Sequence, residues 1–585
     1  MTIENTTMLM KRRAWLPGAV AAVLTLGLSP GPALAQSGED GVTSRLIELL
    51  VKRGVLQRDD AAALLAEARA EKTKTAKAAP KPAKAASVAG TTATTQPGPA
   101  EPPVPPGTVR VTYVPQIVRD QIAQQVRDEL MQTAATGGPA QPGLEAEAPS
   151  RFHFFGDLRI RGEFDQFGNM NVPQIPDFAT INSGSPFDVT GASGEVPLLN
   201  TTENRTRERL RARTGVDVDI DDGITAEVRV ATGNDGSPVS PNQTFGQNGP
   251  FTKYAIWLDR AFVKAAPTDW LTATAGRMPN PFWTTDVIFY DDLGFDGFAV
   301  TMAPRFNKRW SGFLTAGAFP VFNTALNFGS TSADSGFPSR NAWLFGVQAG
   351  ADWEVTKQIS TKMAAAYFDY SNISGKISSP CTIVFSSDTC DTDDSRALFP
   401  GNGNTMIPVR NLVLQATNST QPQYFGLASP FRILDIHNQL NLEMFKPIGI
   451  SFDTEFSVNL GFDRARAVAL GVNNFQPEPA GVSGAPDAGN KAGLIRVNVG
   501  IPVIAARWDW NVSLAYKYIE SDSVLASLND SDFHLGGTNA KGFVLGANLG
   551  IARNTWLTAR WLSSTQVSGP VYQVDVIQAD LNVKF

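Results

Sequence analysis

Histidine and cysteine are nearly missing from this chain, with 3 and 2 residues among 585. So few leave little from which to build a His/Cys metal centre or a thiol–imidazole catalytic pair. Charge is sparse too, at 18% Asp, Glu, Lys and Arg with a formal net of −6, and gives no electrostatic footprint for nucleic acid. Beyond the N-terminus there is no run of about 18 uninterrupted apolar residues, so membrane-crossing helices are excluded. A hydrophobic content of 42% excludes wholesale disorder. What remains, with 51 Gly and 39 Pro, is room for several soluble domains or one very large one.

The N-terminus reads as an export signal, 1–35. Lys11, Arg12 and Arg13 form its charged region, 14–28 its apolar stretch, and Ala33-Leu34-Ala35 a small-residue cleavage site before Gln36. A membrane anchor is the poorer reading, because the apolar run is too short to span. Segment 36–72 holds two short helices, over 43–53 and 60–72, the second capped by Asp59. The Pro/Ala/Lys-rich tract 73–107 reads as an extended linker. In 108–150 a helix over 116–133 carries Ile117, Val118, Ile122, Val126 and Leu130 in a narrow stripe. That stripe suits either a short oligomerisation coil or a face docked on its own domain. The tail 36–150 balances 13 basic against 13 acidic residues, so the negative excess of the exported chain sits in 151–585.

From 151 onward the dominant pattern is alternation with period two. Over 152–164 one parity reads Phe152, Phe154, Gly156, Leu158, Ile160, Gly162, Phe164, and the other His153, Phe155, Asp157, Arg159, Arg161, Glu163. Over 210–220, Leu210, Ala212, Thr214, Val216, Val218 and Ile220 oppose Arg209, Arg211, Arg213, Asp217 and Asp219. Soluble sandwiches also alternate, so length and chemistry decide. Several runs exceed the usual length of about 5–6 residues and reach the roughly 9–11 that a tilted strand needs to cross a bilayer. Apolar groups on one face and charges on the other then mean lipid outside and water inside, and the strands must close into a barrel. About 16 strands are expected, an even number that leaves an aqueous lumen.

Three features agree. Trp257, Trp270, Trp283, Trp310, Trp343, Trp353, Trp510, Trp556 and Trp561 fall at or near expected strand ends, as interfacial girdles require. Short turns alternate with long polar loops near 165–203, 233–253, 320–341, 371–431 and 463–490. The end alternates Ala579, Leu581, Val583 to a terminal Phe585, which looks like the signal read by the outer-membrane barrel assembly machinery.

The stretch Gly276-Arg-Met-Pro-Asn-Pro-Phe-Trp-Thr-Thr-Asp286, continued by Ile288-Phe-Tyr-Asp-Asp-Leu-Gly-Phe-Asp-Gly297, resembles the "putative porin" family of proteobacterial outer-membrane proteins. Tyr518-Ile-Glu-Ser-Asp522 and Ser531-Asp-Phe-His-Leu-Gly-Gly-Thr-Asn-Ala-Lys-Gly542 are similar to the same family. The resemblance spans roughly 151–585, with the 43–70 and 110–133 helices also similar to its N-terminal region. It implies an outer-membrane β-barrel and passive diffusion, and it brings no binding residues with it.

Candidate sites each have a bland counterpart. Arg205, Arg207, Arg209, Arg211 and Arg213 share one parity, with Asp157 and Glu163 as acidic partners on the adjacent strand. Pore-lining Arg207, Arg209, Arg211 and Arg213 facing Asp157 and Glu163 would set a transverse field, or else form a salt-bridged wall that only stabilises the barrel. The irregular segment around 277–296, with Arg277, Asp286, Asp291, Asp292 and Asp296, reads as an inward constriction. Its five aromatics (Phe282, Trp283, Phe289, Tyr290, Phe295) are unsuited to a solvated loop. Acidic groups there would favour cations. Cys381 and Cys390 form a local disulfide once exported. Asp391, Asp393 and Asp394 lack EF-hand spacing and read as a solvated acidic loop rather than a Ca²⁺ site. His437 shares its parity with Asp435 and Glu443, but no nucleophile elbow accompanies it, so catalysis is not expected.

The expectation is therefore an all-β transmembrane protein of the bacterial outer membrane, a porin passing small hydrophilic solutes or ions. No cofactor, metal or nucleic-acid partner is expected, and a homotrimer is compatible with a porin of this size. The alternative is a non-conducting barrel that tethers envelope layers through its tail or displays surface loops.

Overall fold

The computed structural model describes residues 151–585 apart from 184–186, 189–196, 234–236, 248, 324–339, 384–387, 414–420 and 473–488. The expected signal peptide, helical segments and linker within 1–150 lie outside the described residues.

Sixteen long strands follow in chain order: β1 Phe152–Phe167, β2 Arg205–Asp221, β3 Ile224–Ala231, β4 Trp257–Thr268, β5 Leu271–Pro279, β6 Gly294–Met302, β7 Trp310–Phe322 and β8 Ala342–Thr356. Then come β9 Ile359–Ser371, β10 Phe431–Phe445, β11 Ile448–Asn459, β12 Lys491–Gly500, β13 Trp510–Ile519, β14 Ala540–Ala552, β15 Thr555–Gln566 and β16 Gln573–Lys584. Each pairs antiparallel with its sequence neighbours, and β1 also pairs with β16, from Asp157↔Lys584 to Phe167↔Val574. That pairing removes every sheet edge, so no backbone group faces lipid unbonded, which would cost several kcal/mol each. Where β3 stops at Ala231, the two-residue strand Gln243–Thr244 takes over as partner of Arg209 and Leu210 on β2.

Polarity is inverted relative to a soluble protein. Phe154, Ile436, Phe456, Ile495, Leu514 and Phe543 are exposed on the outer parity, while Arg161, Glu163, Asp435, Glu455 and Lys517 are buried on the inner one. Strand parity sets this directly, since successive side chains point to opposite faces. Trp270, Trp310, Trp353 and Trp510 are exposed at the end closed by short turns, with Trp310 directly opposite Trp353. Trp343 lies at the other end, stacked on Phe345. Trp257 opens β4, exposed, and donates its indole N–H to the Gly233 carbonyl. Three tryptophans depart from the expected girdle. Trp556 takes the inward parity, Trp561 sits in mid-strand on the outer face, and Trp283 lies inside the lumen.

Turns as short as 222–223, 357–358 and 553–554 occupy one end of the barrel. The long connections 168–204, 232–256, 280–293, 323–341, 372–430, 460–490 and 520–539 all leave from the other end, the asymmetry of an outer-membrane barrel. Among them 280–293 and 520–539 turn inward. Val287, Ile288, Phe289, Val524, Leu525 and Phe533 join one buried apolar cluster with inward residues of the strands.

Candidate functional site

The segment 280–293 connects β5 to β6, and the chain must leave and rejoin the wall tightly. Gly276 and Gly297 face each other in that pair. Both have positive φ, and a Cβ on either would meet a carbonyl oxygen at 2.3 Å, that of Ala261 or of Ala318. Only glycine tolerates both demands. Phe282 then packs edge-on to Phe295, Phe319 and Phe368, and Phe289 to Phe295 and Phe368. Aromatic burial thus anchors the segment on the inner faces of β6, β7 and β9.

Polar contacts carry it across the lumen. The Trp283 amide donates to Gln348 Oε1 and its carbonyl accepts from Gln348 Nε2, both at 2.8 Å. The Thr285 amide donates to Glu455 Oε1 at 2.9 Å, and its hydroxyl donates to Glu455 Oε2. The Asp286 carboxylate accepts from Lys517 Nζ at 2.8 Å and from Arg496 Nη2 at 3.1 Å. The Tyr290 hydroxyl donates to Asp532 Oδ2 at 3.2 Å. Asp292 accepts from Arg211 Nη1 at 3.0 Å and Arg213 Nη1 at 2.6 Å. The segment is therefore held by β2, β8, β11, β12, β13 and the loop 520–539. Such charge-assisted bonds are the strong ones in a low-dielectric surround.

Electrostatics follow the geometry. Burial alone would raise Asp286, but Lys517 and then Arg496 hold its carboxyl well below the usual carboxylate range. Arg211 and Arg213 likewise hold Asp292 down against burial. Asp291 is exposed and has no ion-pair partner among the described residues. Enclosure, then the charges of Asp286 and Asp292, push its carboxyl up to about 6.

The arginine ladder stands on β2 beside the acidic face of β1, in the register Arg213↔Asp157, Arg209↔Arg161, Arg207↔Glu163 and Arg205↔Asp165. Arg213 Nε donates to Asp157 at 2.7 Å, and Arg211 Nη2 lies 3.0 Å from the same carboxylate. Arg209 Nη1 donates to Glu163 at 3.2 Å; Arg207 bonds Glu163 and reaches Asp165 at 3.3 Å. All six residues expected to line the pore thus stand together on two adjacent strands, heavily ion-paired. Arg211 and Arg213 also dock the inward segment through Asp292, a link between two candidate sites that spacing alone does not reveal.

Several expectations need correction. Arg277 and Asp296 are not in the constriction. They stand opposite each other on β5 and β6, on the parity facing away from buried Met278 and Phe295, and pair at 2.9 Å. Asp393 and Asp394 are not solvated: both are buried, Asp393 bound by Arg410 Nε at 2.8 Å and Asp394 by Arg340 at 3.0 Å. His437 is buried with its ring stacked on Trp283 at 3.8 Å. Cys381 and Cys390, by contrast, are joined in the expected disulfide. Sequence reasoning missed Gln348, Glu455, Arg496, Lys517, Asp530, Asp532 and Arg560, and the inward course of 520–539. A signal was available: Arg496, Lys517 and Arg560 are single cations on inward parities, each needing a buried partner.

A closed sixteen-stranded barrel, apolar outside and charged inside, with a connection latched across its lumen, defines the class of outer-membrane channel proteins. Residues 40–585 match the family model described as "Putative porin", and the chain belongs to that family. Membership places it in the bacterial outer membrane. No curated protein matches the chain. Among solved structures it is similar to the outer membrane channel DcaP of Acinetobacter baumannii, at 9% identity and a TM-score of 0.34, over 74% of this chain and 97% of that one. It is also similar to OprB of Pseudomonas putida, at 11% identity and a TM-score of 0.39, over 75% of this chain and 95% of that one. A third is OmpT of Vibrio cholerae in its trimer form, at 9% identity and a TM-score of 0.34, over 74% of this chain and 99% of that one.

Proposed function

We propose that the protein is a diffusion channel for small hydrophilic solutes and ions, sieved beside the segment 280–293. The observation that carries this reading is the latching of that segment at both walls, through Asp286 with Lys517 and Arg496 and through Asp292 with Arg211 and Arg213. A rung fixed on opposite sides narrows a polar lumen to a constant size. Solutes move down their gradient past fixed charges, and no bound group is needed to drive them.

Single-channel recording of the refolded full chain in planar bilayers tests it. Steady open steps in KCl are expected, with larger steps in Asp286→Asn/Asp292→Asn, where the rung loses its ion pairs at both walls. Absence of conductance from verified folded barrels would reject the channel and promote the tethering or plugged barrel.

A further inference from the structure

Beside the ladder, toward the loop end of the barrel, lies a cavity of about 260 Å³ bordered by Arg205, Arg207, Arg209, Ser237, Ser240 and Asn242. It sits outside the level at which Asp292 docks on Arg211 and Arg213, so a solute arriving from the loop side meets it before the constriction.

Its charges are not balanced. Arg205 and Arg207 share the Asp165 carboxylate, and Arg207 and Arg209 share Glu163. Asp532, on the opposite border, is taken by Arg161 at 3.0 Å and Arg560 at 2.9 Å, and Asp580 by Arg161 at 2.8 Å. Arg159 is bonded to the side-chain oxygen of Asn242 at 2.5 Å and to no carboxylate. Six guanidinium groups thus surround four carboxylates among the described residues. Their donors are not exhausted either. Arg205 uses Nε and Nη2, and Arg207 uses Nη2. Nη1 of both carries N–H groups bonded to no described residue, and the two side chains are 48% and 22% exposed. A guanidinium presents five donors in a planar fork matched to an oxyanion. Next to them, the Ser240 hydroxyl accepts from Asn242 Nδ2 at 3.1 Å and keeps its own proton to donate, and Ser237 adds a second hydroxyl on the cavity border.

We propose that this cavity is a binding subsite for small hydroxylated carboxylates of the sugar-acid type. The solute carboxylate is taken by Nη1 of Arg205 and Arg207, and its hydroxyls by Ser237 and Ser240. This deepens the channel reading and rests on it, since the subsite loads a solute at the mouth of the constriction. Excess positive charge raises the local concentration of such anions, and partial pairing by Glu163 and Asp165 keeps the hold weak enough for release.

The test compares three solutes with the same polyol chain and different charge: gluconate, sorbitol and N-methylglucamine. Each is added on the loop side of the full chain in planar bilayers. Gluconate is expected to interrupt the KCl current, and the other two to leave it unchanged. Arg205→Gln/Arg207→Gln should raise the half-blocking gluconate concentration about a hundredfold or more, the loss of two charge-assisted bonds. Arg205→Gln alone, at the most exposed of the three arginines, should move it in the same direction with less risk to folding. Equal block by sorbitol, block as strong by inorganic phosphate as by gluconate, or block unchanged in both variants would overturn the assignment. If no KCl steps appear at all, the channel reading fails by itself, and calorimetric titration of gluconate into the detergent-solubilised protein decides the subsite. Binding heat that is lost in Arg205→Gln supports it, and no heat overturns it.

Discussion

Lys517 donates from Nζ to the Asp286 carboxylate at 2.8 Å, joining β13 to the inward segment across 231 residues of sequence. The same ammonium donates to Asp530 at 2.5 Å, so one buried cation serves two loops that enter the lumen from different parts of the chain. Asp286 also receives Asp530 through the backbone, its carbonyl accepting that residue's amide at 2.9 Å. The two inward connections are thus one unit with Lys517 at its centre.

Removing that centre should be costly. Lys517 is 1% exposed, and Lys517→Met leaves two carboxylates with Arg496 as the nearest remaining cation. The expected loss is about 3–5 kcal/mol, as for breaking a buried ion pair from one side. Urea unfolding in detergent, followed by tryptophan fluorescence, measures it. Asp286→Asn should cost less, because Lys517 keeps Asp530. Equal midpoints for Lys517→Met and the natural chain would mean the network does not hold the loops.

Acidification should change selectivity while leaving the rung in place. Asp286 and Asp292 have depressed values, so the stability they supply is present above the ordinary carboxylate value of about 4 and is lost only as pH falls through their lower folded values. Asp291 is shifted the other way, to about 6, and becomes neutral as pH falls through it. From about pH 7.5 to about pH 5, conductance should hold steady while the reversal potential in a KCl gradient moves toward anions. Asp291→Asn should show the acidic-side potential at both pH values. A shift of the same size in that variant would assign the titration to another group.

Much of the fold was legible because a barrel wall writes itself locally. Parity in 152–164 and 210–220 tells which residues face water, since a one-residue slip would put Arg211 into lipid. The inward segment was legible from chemistry: five aromatics within 277–296, four of them in the segment itself, are poorly suited to a solvated loop. Its partners were not legible. Lys517, Arg496 and Glu455 meet it only through closure of the barrel, which sets distances between strands far apart in sequence. Arg277 and Asp296 misled for a related reason. They lie within the same acidic, irregular stretch, yet they already belong to β5 and β6, where parity points them outward.

Gly297 offers a backbone test of how the segment is launched. Its φ is +147°, and an added Cβ would lie 2.3 Å from the Ala318 oxygen on β7. Gly297→Ala therefore has to shift β6 against β7 and disturb the return of the segment to the wall. A loss of about 1–3 kcal/mol is expected, together with noisier open-channel current. Ala299→Gly, two residues along the same face, serves as the comparison. Quiet current and unchanged stability in Gly297→Ala would show that the strand pair absorbs the shift.

The disulfide should matter to the outer loop and not to conduction. Cys381 and Cys390 are nine positions apart, and a loop that short gains about 2–3 kcal/mol from closure in the chain-entropy account. The same turn is also held by buried Arg410, which donates to Asp393 from Nε at 2.8 Å and to the Pro422 and Asp388 carbonyls at 3.1 and 3.3 Å. Cys381→Ser/Cys390→Ser should therefore leave barrel unfolding and KCl conductance as they are. It should speed cleavage within 372–430 by an added protease, read by mass spectrometry of the fragments. Arg410→Gln in that background should accelerate it further, because Asp393 is then left buried without its cation. If the double serine variant changed conductance instead, this loop would have to reach the conducting path, and the constriction could no longer be ascribed to 280–293 alone.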